Sequence, residues 1–259
     1  MDQKIALITG ATGDIGKAIT TRLCEVGYQP IIVSRTLEDL NALTQKIKSV
    51  FGINAIGLAC DVSKSEEVDY LINRIQGLAC QIEILVNCAG ISCGGNTTDI
   101  TPDKWNQVIA TNLNSVFYVT RGLLYRNMIA QNGRIINIAS TGGKQGVIHG
   151  APYSASKHGV VGFTKSLGLE LARNRTGITV NAVCPGFVES EMAKRVRENY
   201  AALWKTDAEE TKRRVEERIP IGRYIEPCEV ADMVAYIASP KAQGITAQAI
   251  NICGGLGNY

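Results

Sequence analysis

Histidine is scarce in this chain of 259 residues, with only His149 and His158 present. Two imidazoles are too few for most zinc sites, and none of the eight cysteines stands at a metal-ligand spacing. Nor do the cysteines outline a disulfide framework. Cys24, Cys60, Cys80, Cys88, Cys184 and Cys253 fall in apolar surroundings, where cysteine serves as a small hydrophobe. Reduced thiols and a cytoplasmic location are therefore expected. No apolar run approaches the length of about twenty residues that crosses a bilayer, so no membrane helix is expected. Met1-Asp-Gln-Lys-Ile5 leads straight into a strand without a basic segment and a long apolar one, so no secretory leader is expected. A dominant charge is also lacking. The formal net charge is +3, and no basic run interleaves with aromatics, which argues against a nucleic-acid partner.

Glycine, in contrast, is plentiful. Many of the 26 glycines follow short β-rich runs, where tight strand-to-helix turns need them. Strands are expected at 4–9, 29–34, 55–60, 82–87, 133–139, 179–183 and 249–252. Helices are expected at 14–26, 37–50, 66–76, 102–127 with an interruption, 153–174 and 227–238. This alternation predicts an α/β fold, a doubly wound parallel sheet with helices on both faces. Ligands of such folds bind beyond the carboxyl ends of the strands. Gly10, Asp61, Asn87, Ser140 and Pro185 all follow strand ends and would converge on one crevice. Residues 189–218 break the rhythm: they are highly charged, lack a strand, and carry Tyr200, Leu203 and Trp204 in a polar helical pattern. They are expected to form a small helical flap over the crevice, a solvated insertion being the alternative. No linker divides the chain, so residues 1–259 are expected to form one domain.

Ile5-Ala-Leu-Ile-Thr-Gly-Ala-Thr-Gly-Asp-Ile-Gly16 is a strand, a glycine turn and a helix start, with Gly10, Gly13 and Gly16 three apart. Glycines allow close backbone approach, and the helix N-terminus offers N–H groups to a pyrophosphate. Asp61-Val62 and Asn87-Cys-Ala-Gly90 after later strands strengthen the nucleotide-binding, Rossmann-type reading. The second strand ends Ile31-Ile-Val-Ser-Arg35, where an acidic residue would take the ribose hydroxyls of NAD. Arg35 instead suits a 2′-phosphate, so NADPH/NADP+ is the expected cofactor.

Ser140, Tyr153 and Lys157 carry the chemistry. Tyr153 and Lys157 are four apart and leave one face of a helix. A cation beside a phenol is expected to lower its pKa from about 10, so that the tyrosine passes a proton near neutrality. Ser140 follows the apolar run Arg134-Ile-Ile-Asn-Ile-Ala139 and would present its hydroxyl from the sheet edge.

Together the glycine turn, Asn87-Cys-Ala-Gly90, Asn112, Ser140, Tyr153-Ser-Ala-Ser-Lys157 and Pro185-Gly-Phe-Val188 resemble the short-chain dehydrogenase/reductase family over nearly the whole chain. Longer runs are similar to the ketoreductases of aromatic, type II polyketide synthases: Ile138-Ala-Ser-Thr-Gly-Gly-Lys-Gln-Gly146, Ala151 to Lys165, Pro220-Ile-Gly-Arg-Tyr224 and Cys253-Gly-Gly-Leu-Gly-Asn-Tyr259. The resemblance implies a catalytic tetrad of Asn112, Ser140, Tyr153 and Lys157. Tyr153 would donate the proton, Ser140 would bond the substrate carbonyl, Lys157 would bind the nicotinamide ribose and lower the pKa of Tyr153, and Asn112 would hold a relay water. It implies cofactor contacts from Thr9, Gly10, Thr12, Gly13, Asp14, Ile15 and Gly16, from Ser34 and Arg35, and from Asp61 and Val62. Further cofactor contacts would come from Asn87, Ala89 and Gly90, from Tyr153 and Lys157, and from Pro185, Gly186 and Val188. Substrate contacts would come from Cys93, Gly94, Gly95, Ser140, Gln145 and Tyr153. No metal is implied.

The implied reaction is reduction of one ketone, the carbon-9 ketone in the best-known members, of a poly-β-ketone on acyl carrier protein. The implied assembly is a homotetramer. A basic rim of Arg35, Lys194, Arg195 and Arg197 would steer the carrier. Several positions depart from the family, among them Gly13, where serine or another small residue is common, and Asn174-Arg175, in a loop that is shorter in relatives. Asp14 stands where glycine is usual and is expected to cap backbone N–H groups at the helix start, and Cys93 replaces a proline before a glycine pair. Two other readings share the fold: a 3-oxoacyl carrier protein reductase of fatty-acid type or a reductase of another ketone, and a non-enzymatic nucleotide-binding protein.

Overall fold

The computed structural model describes residues 4–257. Residues 1–3, on which the leader expectation partly rests, and 258–259 of the tail run lie outside them. The strands are β1 (Ile5–Thr9), β2 (Gln29–Ser34), β3 (Ile56–Ala59), β4 (Ile82–Asn87), β5 (Ile129–Ile138), β6 (Thr179–Pro185) and β7 (Ala249–Ile252). They form one parallel sheet in the order β3-β2-β1-β4-β5-β6-β7. The helices are α1 (Asp14–Glu25), α2 (Leu37–Phe51), α3 (Ser65–Gln76), α4 (Pro102–Ile109), α5 (Ser115–Tyr125), α6 (Ala151–Arg173), α7 (Glu191–Trp204), α8 (Ala208–Glu216) and α9 (Pro227–Ala238).

Side chains on a strand alternate faces, and here both faces are apolar. Leu7, Val33, Leu85 and Ile135 meet Leu71 and Ile72 of α3, Leu123 of α5 and Leu171 of α6. Ile8, Ile32, Val86 and Ile136 meet Ile19 and Leu23 of α1, Leu40 of α2 and Val234 of α9 on the other face. Each such burial is worth about 1.5–3 kcal/mol. The sheet is thus held from both sides, and its upper edge becomes a rigid platform.

Three elements differ from expectation. Strand β5 starts at Ile129, which pairs with Ile82 before an irregularity passes through Asn132 (φ 60°) and rejoins at Ile84↔Arg134. The turn-like Asn132-Gly133 therefore lies inside the strand. Strand β6 runs on to Pro185, because Cys184 and Pro185 pair with Asn251 and Ile252 of β7. Helix α6 begins at Ala151, since Pro152 is tolerated in a first turn, where no N–H is needed. The interruption expected in 102–127 is a single π turn over Ala110–Asn114 between α4 and α5.

The segment after β6 forms α7 and α8. Ala193, Val215, Ile219 and Tyr224 are buried together, with Phe187 and Trp204 against them. This small core excludes a merely solvated insertion. The root of the segment is tied down by the N–H of Ile225, which donates to Phe187 at 2.8 Å, and that of Glu189, which donates to Ile225 at 2.9 Å. Among the described residues no helix is long and apolar enough to cross a membrane.

Candidate active site

The sheet order reverses between β1 and β4, and a cleft of about 660 Å³ opens there. Gly10 (φ +65°) turns the chain so closely against the loop after β4 that a Cβ would lie 2.6 Å from the Cα of Ala89. A Cβ on Gly16 would lie 2.2 Å from the carbonyl oxygen of Gly10. No side chain larger than glycine's hydrogen fits at either place. The Thr9 hydroxyl accepts from the N–H groups of Cys88 (3.1 Å) and Ala89 (3.4 Å), locking the two strand ends. Gly13 occupies the cap position of α1, with no side chain satisfying the first-turn donors. Gly13, Asp14, Ile15 and Gly16 all line the cleft. Uncapped donors at a helix start fit a dinucleotide pyrophosphate.

Asp14 corrects one expectation. Its carboxylate does cap a helix, but not its own: Oδ2 accepts from the N–H of Glu191, the first residue of α7, at 2.8 Å.

At the far end the hydroxyls of Thr12 and Ser34 share a 2.8 Å hydrogen bond, and Arg35 stands exposed on the cleft wall. Asp61 accepts from the N–H (3.1 Å) and hydroxyl (2.7 Å) of Ser63. Burial pushes the Asp61 carboxyl up, but the Ser63 bonds and the charges of Lys64 and Arg35 outweigh it and hold the group below its ordinary value. A guanidinium next to a polar strand end fits a phosphorylated ribose.

The hydroxyl, phenol and ammonium meet beyond β5. Ser140 precedes a tight turn over Thr141–Gly143, and its hydroxyl accepts from the N–H of Gly142 at 3.0 Å. Tyr153 lies in the first turn of α6, and its phenol shares a hydrogen bond with Ser140. Lys157, only 5% exposed, donates to the carbonyl of Ile138 at 2.8 Å. Its ammonium lies 5.8 Å from the centre of the Tyr153 ring. Burial lowers Lys157 to about 8, with the nearby Cys88 and Cys184 thiols acting the other way. Burial also raises Tyr153, against the Ser140 bond. The expected lowering of the phenol is thus corrected: loss of hydration outweighs the Ser140 hydrogen bond, and the Lys157 ammonium, 5.8 Å from the ring centre, does not reverse it. The phenol is a protonated donor at neutral pH. Burial pushes the Cys88 thiol up to about 12 and Cys24 to about 11, so both remain small protonated hydrophobes.

Asn112 sits in the π turn, fully buried. Its Oδ1 accepts from the N–H of Ile91 (2.8 Å), and its Nδ2 donates to the carbonyl of Ile91 (3.0 Å). The π turn points this amide at the loop after β4, as such turns often do at functional sites.

Most expected residues line this one cleft: those of the glycine turn, Ser34, Arg35, Asp61, Val62, Ala89, Gly90, Cys93, Gly94, Ser140, Tyr153, Lys157, Pro185, Gly186 and Val188. Thr9, Asn87, Asn112, Gly95 and Gln145 do not. Thr9 and Asn112 brace the wall from behind, and Asn87 is buried, donating to Thr120 (3.0 Å) and Asn137 (2.8 Å). Gly95 donates to the carbonyl of His149 at 2.9 Å, and Gln145 to that of Thr141 at 3.1 Å. Thr111, Thr141, Val147 and His149 line the cleft and escaped the sequence reading. So did Met192 and Val196, which continue with Tyr200 and Leu203 along one face of α7. Their spacing of four, four and three is the signal that could have found them. Trp204 lies behind the wall, stacked on Tyr200 with centroids 5.0 Å apart.

A model of the short chain dehydrogenase family matches residues 4–201. The chain belongs to that family. It is 52% identical, over 98% of its length and 93% of the relative's, to a candidate ketoacyl reductase of the granaticin polyketide synthase of Streptomyces violaceoruber. It is 37% identical, over 98% of its length and 97% of the relative's, to a 3-oxoacyl-[acyl-carrier-protein] reductase of Aquifex aeolicus. Among solved structures it is similar to the actinorhodin polyketide ketoreductase, determined as a Phe-to-Trp variant with NADPH. That match has a TM-score of 0.93 and 49% identity and covers 100% of both chains. The family's cofactor fits the uncapped helix start, the Arg35 corner and the buried Lys157 described above.

Proposed function

We propose that the protein is an NADPH-dependent ketoreductase that reduces the carbon-9 ketone of an aromatic polyketide intermediate held on acyl carrier protein. The observation that carries this reading is the meeting of Ser140, Tyr153 and Lys157 in a cleft whose other wall is the stripe Met192, Val196, Tyr200 and Leu203. An apolar and aromatic wall opposite a polar proton-donating one suits a long carbon skeleton bearing ketones. Relatives that are named for polyketide synthases and about half identical over nearly the full length support the same reading.

NADPH supplies the hydride when bound. The chain's own residues do the rest. The glycine turn and the N-terminus of α1 hold phosphates, Arg35 reads the 2′-phosphate, and Lys157 holds ribose hydroxyls. Ser140 and Tyr153 direct their hydroxyls at the ketone oxygen, where negative charge grows. The carbonyl carbon receives the hydride, and the oxygen receives the Tyr153 proton, giving the alcohol. Asn112 keeps the loop after β4 in register with Lys157. Residues 1–259 act as one reductase domain, with 189–218 covering the substrate. The reading includes a homotetramer in the cytoplasm, in which the exposed Trp105, Phe117 and Tyr125 of α4 and α5 are apolar surface for subunit contacts.

Mass spectrometry of the products of a reconstituted type II synthase, with and without this protein, tests the reading. A product reduced at carbon 9, two hydrogens heavier than the unreduced ketone before any loss of water, is expected. With free substrates, NADPH consumption on a bicyclic ketone such as a decalone is expected. No turnover of bicyclic ketones beside good turnover of an acetoacetyl thioester would assign the fatty-acid type of reduction instead.

A further inference from the structure

Asp14 lies where the glycine turn becomes α1, yet its carboxylate serves another element. The N–H of Glu191 donates to Oδ2 at 2.8 Å, across 177 positions of sequence. Helix α7 already has a cap of its own, since the Ser190 hydroxyl accepts from the N–H of Ala193 at 3.1 Å. The donor of Glu191 has no acceptor inside its helix, so Asp14 satisfies a group that Ser190 leaves over. A carboxylate at this end also favours the helix dipole. Asp14 and Glu191 both line the cleft, and the stripe from Met192 to Leu203 begins directly after the bond. The root of α7 is fastened on the opposite side, through Phe187, Glu189 and Ile225. A helix held at its root by one loop and at its first residue by another has its height above the cleft set by both.

We propose that Asp14 is a positioning residue for the ketone: its carboxylate latches α7 to the cofactor-binding turn and sets the substrate wall at its working distance. The inference rests on the reading of the cleft as the place of NADPH and ketone. The bond turns the carboxylate toward α7, which reconciles a negative charge with a phosphate-binding turn. Loss of the side chain frees the first turn of α7 and widens the substrate end, while the removed charge no longer opposes the phosphates.

The test compares wild type, Asp14→Gly and Asp14→Asn by amide hydrogen exchange and by steady-state kinetics with a decalone. In the NADPH-bound protein, Asp14→Gly should exchange peptides covering 191–194 about three- to tenfold faster, with α8 unchanged. Asp14→Asn, whose amide oxygen still accepts, should restore most of the protection. For Asp14→Gly the KM for the decalone should rise several-fold, more than kcat falls, and NADPH should bind at least as tightly. Equal exchange in all three proteins would overturn the latch. So would a KM effect confined to NADPH, which would assign the carboxylate to the phosphate end. If wild type turns over no ketone, the functional reading fails, and the exchange data still decide the latch.

Discussion

Beneath the cleft the Asn112 amide donates to the Ser156 hydroxyl at 3.1 Å, and that hydroxyl in turn donates to the carbonyl of Tyr153 at 2.7 Å. One side chain thus ties the π turn to the first turn of α6. Ser156 is fully buried, so its removal leaves an amide proton without an acceptor and without water. Such a loss costs about 1–3 kcal/mol. Ser156→Ala should therefore melt at a lower temperature and lose kcat more than it raises KM, as Asn112 and Tyr153 loosen together. Calorimetry and kinetics on the same preparation check this. A variant with wild-type melting and kcat would show that the bridge supports nothing.

Lys157 should leave a signature in stability against pH. Burial puts its pKa at about 8 in the folded chain, below the ordinary 10.5. Between those values the unfolded chain holds more protons, so stability rises with pH. The full swing is on the order of 3 kcal/mol. Relative to Lys157→Met, wild type should gain stability from about pH 8 to 10.5 and show a constant difference below. Denaturant titrations of both proteins across that range test it. A constant difference throughout would mean that the ammonium keeps its ordinary affinity for a proton.

Arg35 stands exposed at the end of β2, beside the Thr12–Ser34 bond. Arg35→Ala should lose a charge-assisted contact worth about 1.5–3 kcal/mol, that is about 10- to 150-fold in kcat/KM with NADPH. With NADH the change should stay within about threefold, because no 2′-phosphate is present to miss the guanidinium. Equal losses with both cofactors would show that Arg35 does not read that phosphate.

The parts legible in the sequence share one property: their meaning is local. Gly10 and Gly16, or Tyr153 and Lys157, act at fixed short spacing, and strand alternation places them at one sheet edge. The bond from Asp14 to Glu191 joins residues 177 apart and depends on how α7 crosses the cleft, which no local pattern encodes. The raised phenol of Tyr153 is similar, because desolvation belongs to the packed state and the spacing to Lys157 alone does not show it. On α7 the stripe Met192, Val196, Tyr200 and Leu203 is periodic, but charged residues on its other faces mask it. Asn112 could be found as a residue but not as a brace, since the π turn that aims it has no compositional mark.

Carrier docking should follow the cations that remain uncommitted. Lys194 is ion-paired with Glu191, and Arg197 with Glu189, so neither offers a free charge. Arg195 lines the cleft and makes no ion pair among the described residues. Arg195 and Arg35 are therefore the expected contacts for an acidic carrier surface or a phosphopantetheine arm. Arg195→Glu should raise the KM for carrier-bound ketone several-fold and leave that for free decalone within about twofold. The defect should shrink as salt rises, since exposed charges are screened over about 10 Å at 0.1 M ionic strength. Lys194→Ala should do much less, because the charge of its ammonium is offset by the adjacent Glu191 carboxylate. Equal losses on carrier-bound and free ketone for Arg195→Glu would indicate damage to the packing of α7. No loss on either would place the carrier on another face.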